Sequence, residues 1–194
     1  MERMFKKGNI MRITSGKLKN RVVLSREGFD TRPTLERIKE SIFSIIYDKV
    51  IDAKFLDLYS GTGNMSFEAL SRGAKRAIMI EKDYEALNVI IDNVTRFKLE
   101  KDCRAYKNDS LRAIEILKRK NEKFDIIFMD PPYKENLTTK TLEKLSEFDI
   151  LEQDGIIICE HANYEKLDDK IMNLVKYDER EYNKKIISFF RKED

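Results

Sequence analysis

The 194-residue chain carries one histidine, His161, and two cysteines, Cys103 and Cys159. One imidazole and two thiols cannot furnish an ordinary four-ligand zinc site, so the composition points to no metal. Both cysteines fall inside apolar runs that read as strands, which makes them reduced core residues and not a disulfide. Long apolar runs are missing too. Stretches such as Ile42–Tyr47, broken by Ser44, and Ile156–Cys159 are far too short to cross a bilayer. No apolar core of a secretory signal follows the first methionine. There is no internal repeat, low-complexity tract or Gly/Ser linker. The expectation is a cytoplasmic, metal-free protein with no membrane partner and one full-sized domain.

What is present is charge, unevenly placed. Charged residues make up 38% of the chain, yet the net charge is only +3. Residues 1–39 hold eleven Lys/Arg against four acids, which leaves that first fifth at +7 and the remainder at −4. A basic head on a mildly acidic body suits a polyanion partner, although a solvated tail has the same composition.

Residues 1–10 read as a disordered extension, and residues 11–34 as a basic β-hairpin with strands Met11–Thr14 and Arg21–Leu24 around a turn. Residues 35–194 read as the main domain. Leu35, Ile38, Ile42, Ile45 and Ile46 mark a half-buried helix beyond Pro33. From Lys54 onward strands and helices alternate. Strands are expected at Phe55–Tyr59, Arg76–Glu81, Cys103–Lys107, Phe124–Asp130 and Gly155–Glu160. Helices are expected at about 64–72, Tyr84–Phe97, Leu111–Lys120 and Leu137–Leu145. A short helix near Tyr164–Met172 and a terminal hairpin, Leu174–Glu181 with Lys184–Phe190, complete the chain. This alternation predicts an α/β fold with a doubly wound, mostly parallel sheet, ligands at the carboxyl ends of its strands, and antiparallel strands at one edge.

Three motifs carry chemistry. In Phe55-Leu-Asp-Leu-Tyr-Ser-Gly-Thr-Gly-Asn64, Gly61 and Gly63 allow a tight strand-to-helix turn that a ligand can approach closely. Glu81 ends a strand eighteen residues beyond Gly63, where a carboxylate can accept both hydroxyls of a ribose. Glycine turn plus acid fits a nicotinamide dinucleotide or S-adenosylmethionine. Asp109 can accept from an adenine amine, cap the helix after it, or do both. The third motif, Asp130-Pro-Pro-Tyr133, discriminates. Two prolines fix the backbone and withhold N–H donors, so the Asp130 carboxylate and the Pro131 carbonyl form a pair of acceptors that an exocyclic amine matches. Tyr133 offers a face on which a base can stack. A nicotinamide oxidoreductase would give this motif no work. Adenine, cytosine and guanine all carry the amine, so the base stays open on these grounds.

With these motifs in place, the chain resembles the bacterial 16S ribosomal RNA guanine-N2 methyltransferases. Met11–Arg21, Thr31–Thr34 with its helix Glu36–Phe43, Phe55–Gly73 and Phe124–Tyr133 carry the resemblance. It implies a Rossmann-like methyltransferase domain that uses S-adenosylmethionine without a metal. Asp57 and the Gly61–Gly63 turn would hold the methionine end of the cofactor, Glu81 the ribose and Asp109 the adenine, with Tyr59 and Asn64 also cofactor-binding. Asp130, Pro131 and Tyr133 would hold the target guanine. Arg12, Lys17, Lys19, Arg21 and Arg32 would face RNA, either naked or within an assembling 30S particle, and a monomer is expected. Two positions depart from the family pattern, Asn20 at a hairpin glycine and Ser66 at a third turn glycine. Both residues are compatible with the structure required, Asn because it tolerates left-handed turns and Ser because it is small. The remaining alternatives are an adenine-N6 or cytosine-N4 methyltransferase acting on DNA or other RNA, and a non-catalytic RNA-binding or ribosome-assembly module.

Overall fold

The computed structural model describes residues 11–25, 33–132 and 136–193. The extension at 1–10, Arg32 and Tyr133 lie outside the described residues.

The chain runs β1 (Met11–Arg12), β2 (Val22–Val23), α1 (Pro33–Ile45), α2 (Tyr47–Val50), β3 (Lys54–Asp57), α3 (Asn64–Ser71), β4 (Arg76–Glu81), α4 (Tyr84–Phe97), β5 (Cys103–Lys107), α5 (Ser110–Arg119), β6 (Phe124–Met129), α6 (Leu137–Phe148), β7 (Leu151–Ala162), β8 (Lys170–Ile171), β9 (Leu174–Tyr182) and β10 (Lys185–Lys192). Eight strands form one sheet in the order β5-β4-β3-β6-β7-β10-β9-β8. The first five are parallel, while β10 enters antiparallel beside β7 and carries β9 and β8 outward. The order reverses between β3 and β6, and this is where a doubly wound sheet opens a crevice.

The central strands are buried on both faces, which is why they are almost continuously apolar. Phe55, Met79, Phe128 and Ile158 pack on one face with α1, α3 and the hairpin. Leu56, Ile80, Met129 and Cys159 pack on the other with α5 and α6. Both cysteines are buried and free.

The hairpin is short but firmly docked. Ile13, Leu18 and Val23 are buried. Thr14 and Ser15 donate backbone N–H groups to the Glu68 carboxylate at 2.9 and 3.1 Å, and Lys17 N donates to the Ser71 carbonyl at 2.8 Å. Gly16 makes this approach possible. Its φ is +79°, and a Cβ there would lie 1.8 Å from the Ser71 carbonyl oxygen. Asn20 adopts φ +68°, as a residue replacing a turn glycine must.

The helix expected near Tyr164–Met172 is absent. Leu167 and Ile171 are buried at a helix-like spacing, but Met172 takes φ +53° and turns the chain, so that β8 pairs antiparallel with β9. Asn173 N donates to Ser146 Oγ at 3.2 Å and ties this turn to α6. Strand β7 is longer than expected because it starts at Leu151, and an irregularity separates the Phe124–Leu151 pair from Ile126–Ile156.

Candidate active site

Residue parity along the strands decides where the carboxylates point. Side chains alternate between faces, so Asp57, Glu81, Asp130 and Glu160, each two residues beyond Phe55, Met79, Phe128 and Ile158, project toward the α1/α3 face. Three of them, Asp57, Asp130 and Glu160, line a cleft of ≈ 220 Å³ at the carboxyl ends of the strands, together with Arg12, Lys39, Tyr59, Gly61 and Asn64.

The turn after β3 is built as its glycines require. Gly63 has φ +78°, and a Cβ would fall 2.8 Å from the Phe67 ring. Gly61 has φ +55° with nothing within 4 Å of an added Cβ, so its backbone lies open to the cleft. The Gly61 N–H donates to one Glu81 oxygen at 2.7 Å, and Asp83 N donates to the other at 2.8 Å. Each of these oxygens keeps a lone pair free for a hydroxyl. Glu81 therefore sits under the turn instead of lining the cleft.

Asp57 is 2% exposed. Its Oδ2 accepts from Ser66 Oγ at 3.0 Å, which gives the serine at the departed glycine position a function. Its Oδ1 is buried with no partner among the described residues. Burial pushes this carboxyl up to about 7, against the Ser66 and Ser60 hydrogen bonds and with the Glu81 charge adding to the rise. A buried acceptor left open next to an accessible glycine backbone fits a cationic, donor-bearing group such as an amino acid's α-ammonium. The methionine end of S-adenosylmethionine is such a group.

Tyr59 is half-buried, and its hydroxyl lies 2.8 Å from Thr141 Oγ1 on α6, with burial pushing the phenol up. Asn64 begins α3, and its Oδ1 accepts from Lys39 Nζ at 3.2 Å. Asp109 caps α5 by accepting from Leu111 N and Arg112 N, and Lys82 Nζ lies 3.4 Å from its other oxygen. Burial also raises the Asp130 carboxyl, while the Lys185 charge pulls it down. Pro131 is buried and Pro132 exposed.

Of the expected RNA-facing residues described, Arg12 alone lines the cleft. Lys17 pairs with Asp102 at 3.7 Å. The Arg21 guanidinium lies 4.9 Å from the Phe97 ring centre and donates to the Arg96 carbonyl at 2.6 Å. Lys17, Lys19 and Arg21 thus sit toward the C-terminal ends of α3 and α4, away from the cleft. His161 is buried, with Nε2 2.9 Å from Ser188 Oγ, and is structural. Among the described residues no group of three His, Cys, Asp or Glu could hold a metal, and no helix is long and apolar enough to cross a membrane.

Sequence reasoning missed Lys39, Glu160 and Lys185. Glu160 was detectable, because Ile158-Cys-Glu160 repeats the pattern of Phe128-Met-Asp130 on the neighbouring strand. Lys39 had no such signal, since nothing in a helical lysine announces its burial.

This strand order, glycine turn and row of strand-end carboxylates define the Rossmann-like methyltransferase fold. The chain belongs to the family described as Conserved hypothetical protein 95, which it matches over residues 11–191. It is 34% identical over 182 residues to the Putative rRNA methyltransferase YlbH of Bacillus subtilis, covering 94% of this chain and 99% of that protein. It is 30% identical over 166 residues to the Ribosomal RNA small subunit methyltransferase D of Haemophilus influenzae, covering 80% and 84% of the two chains. The solved structure of the Putative methyltransferase yhhF from Escherichia coli superposes with a TM-score of 0.82 at 23% identity, covering 96% of this chain and 99% of that one.

Proposed function

We propose that this protein transfers a methyl group from S-adenosylmethionine to the N2 amine of a guanine in 16S ribosomal RNA, as a cytoplasmic monomer that needs no metal. The observation that carries the reading is one cleft holding Asp57, with a buried oxygen that has no partner among the described residues, and Asp130, at the head of a two-proline turn. Ribosomal RNA as the substrate is supported by the names of the relatives. Guanine rests on the resemblance.

Asp57 and the Gly61 turn would receive the amino-acid end of the cofactor, with Asn64 and Tyr59 beside it. Glu81 would take the ribose hydroxyls and Asp109 the adenine amine. The bound cofactor supplies a methyl group on a cationic sulfur. Asp130 and the Pro131 carbonyl would accept the two amine hydrogens, which aims the nitrogen lone pair away from them and toward that methyl. Positioning is the main source of acceleration in such a displacement. The N–C bond forms as the S–C bond breaks, and the amine sheds one proton to water. The Asp130 charge stabilises the positive charge that grows on nitrogen before the proton leaves. Tyr133 would stack on the base, which must leave its own stack to enter. Arg12, at the cleft, would meet the RNA backbone.

The test uses labelled S-adenosylmethionine with unmethylated small-subunit particles, naked 16S RNA and duplex DNA, each digested to nucleosides. Label should appear in N2-methylguanine from the RNA samples. Label in N6-methyladenine or N4-methylcytosine, or a preference for DNA, would refute the assignment.

A further inference from the structure

Glu160 has no part in the reaction as assigned above, yet it stands next to the residue that has the central one. Met129 and Cys159 pair in the parallel ladder of β6 and β7, and the residues that follow, Asp130 and Glu160, both line the cleft. Glu160 is 5% exposed. One of its oxygens accepts from Lys185 Nζ on β10, and the other has no protein partner among the described residues. Lys185 also bears electrostatically on Asp130. A carboxylate kept this far from water costs free energy unless its countercharge and hydrogen bonds are supplied. Here the countercharge is supplied on one side, and the other side faces the cleft.

The three amine-bearing bases differ at the ring nitrogen next to the amine. In guanine, N1 carries a hydrogen. In adenine N1, and in cytosine N3, the corresponding atom is a bare acceptor. A second carboxylate beside the one that takes the amine can accept the guanine N1–H, but it confronts a lone pair in the other two bases. A site built to hydrogen-bond a polar group rejects an analogue lacking that group strongly, because its own buried atoms are then left unpaired.

We propose that Glu160, braced by Lys185, selects guanine by accepting its N1–H while Asp130 accepts the N2 amine. This rests on the methyl-transfer reading above and adds a specificity-determining residue to it.

The discriminating probe is 2-aminopurine, which keeps the N2 amine and lacks the N1–H. It is placed by ligation at the guanine position mapped with the wild-type enzyme. Wild type should favour guanine RNA over 2-aminopurine RNA by about 100-fold or more in kcat/KM. Glu160→Gln replaces a pure acceptor with an amide that can donate to a bare N1. It should lose about 10- to 100-fold on guanine RNA and little on 2-aminopurine RNA, narrowing the ratio by about tenfold or more. Affinity for S-adenosylhomocysteine, measured by calorimetry, should stay at the wild-type value and so report an intact fold. If Glu160→Gln does not bind S-adenosylhomocysteine, Glu160→Asp takes its place, since it retains the charge, withdraws the carboxylate by one methylene and should narrow the same ratio. Equal use of the two RNAs by wild type, or equal loss on both in the variants, would overturn the proposal. Absence of N2-methylguanine with wild type would instead overturn the reading beneath it, before any base comparison is made.

Discussion

Lys39 Nζ lies 3.0 Å from a Glu68 oxygen, with side-chain exposures of 3% and 0%. The same ammonium donates to the Arg12 carbonyl at 2.6 Å and to Asn64 Oδ1 at 3.2 Å. One buried nitrogen therefore joins α1, the hairpin and the first residue of α3, at the wall of the cleft. Glu68 is held from the other side by Thr14, Ser15 and Arg72.

Lys39→Met should accordingly lower stability by about 3 kcal/mol, because it strands part of a buried charge. Chemical denaturation measures this. Burial alone would raise the Glu68 carboxyl, but Lys39, Thr14 and Arg72 outweigh it and hold the group below its ordinary 4.5. A depressed carboxyl contributes stability that is present above that ordinary value and lost as pH falls through the folded one. Wild type should lose this contribution only below about pH 4.5, and Lys39→Met should begin its acid unfolding at a higher pH. Coincident acid transitions in the two proteins would count against Glu68 as the anchor.

That anchor also marks the limit of what could be read in the sequence. The central parallel strands were legible because both their faces are buried and the runs are almost wholly apolar, as in Phe124–Met129, where Asp125 is the one polar residue. The turn after β3 was legible because Gly61 and Gly63, both at positive φ, follow an apolar strand and precede a helix. Glu68 was not, because a glutamate in a helix ordinarily faces water, and only the docked hairpin turns this one into a core residue. Strand β8 was hidden for a related reason, since Leu167 and Ile171 carry a helical spacing that a left-handed Met172 overrides.

Asp57 should make ligand binding depend on pH. With its carboxyl raised to about 7, the free protein holds a proton there at pH 6 that a cationic ligand must expel. Affinity for S-adenosylhomocysteine should therefore rise by about tenfold per unit as pH approaches 7, then level off. In Asp57→Asn the rising limb should vanish. Stability gives the complementary sign. The folded protein binds this proton more tightly than the unfolded chain, so the contribution is present below 3.8 and lost as pH rises to about 7. The ligand-free Asn variant should then exceed wild type in stability at pH 8. A flat wild-type binding profile between pH 6 and 7 would count against this role for Asp57.

Asp130 and Glu81 should separate chemistry from cofactor binding. Asp130→Ala removes an amine acceptor and should lower kcat by about 100-fold or more, with S-adenosylhomocysteine affinity near wild type. Glu81→Ala removes the acceptor for Gly61 N and Asp83 N as well as the proposed ribose ligand. It should weaken S-adenosylhomocysteine by about tenfold or more, at roughly 1.5–3 kcal/mol for a charged hydrogen bond, and change kcat less once the cofactor saturates. Calorimetry alongside single-turnover kinetics distinguishes the two patterns, and a reversal would exchange the roles.

The hairpin bears on how far RNA extends from the cleft. Strand β1 leaves Arg12 at the cleft, and the chain then follows α3 to Ser71, so the turn lies roughly 10 Å along the helix axis from Asn64. Arg21 is committed to Phe97 and the Arg96 carbonyl, whereas Lys19 is exposed and Lys17 has only a surface partner. The Lys17→Ala/Lys19→Ala double variant should therefore weaken RNA binding and reduce its salt slope by about 1.4, at about 0.7 for each single-strand phosphate contact. Arg21→Ala should chiefly cost stability, about 1 kcal/mol, and alter the slope little. Arg12→Ala keeps the backbone bond to Lys39 and gives up only the exposed 3.1 Å bond from its guanidinium to the Asn20 carbonyl. It should reduce the slope by about 0.7 while also lowering kcat/KM, because its side chain is the exposed basic group at the cleft, Lys39 being buried. Filter binding across a salt series, with denaturation of the same proteins, reads all three. If the double variant binds RNA with unchanged affinity and slope, the turn is solvated surface and the RNA ends at Arg12.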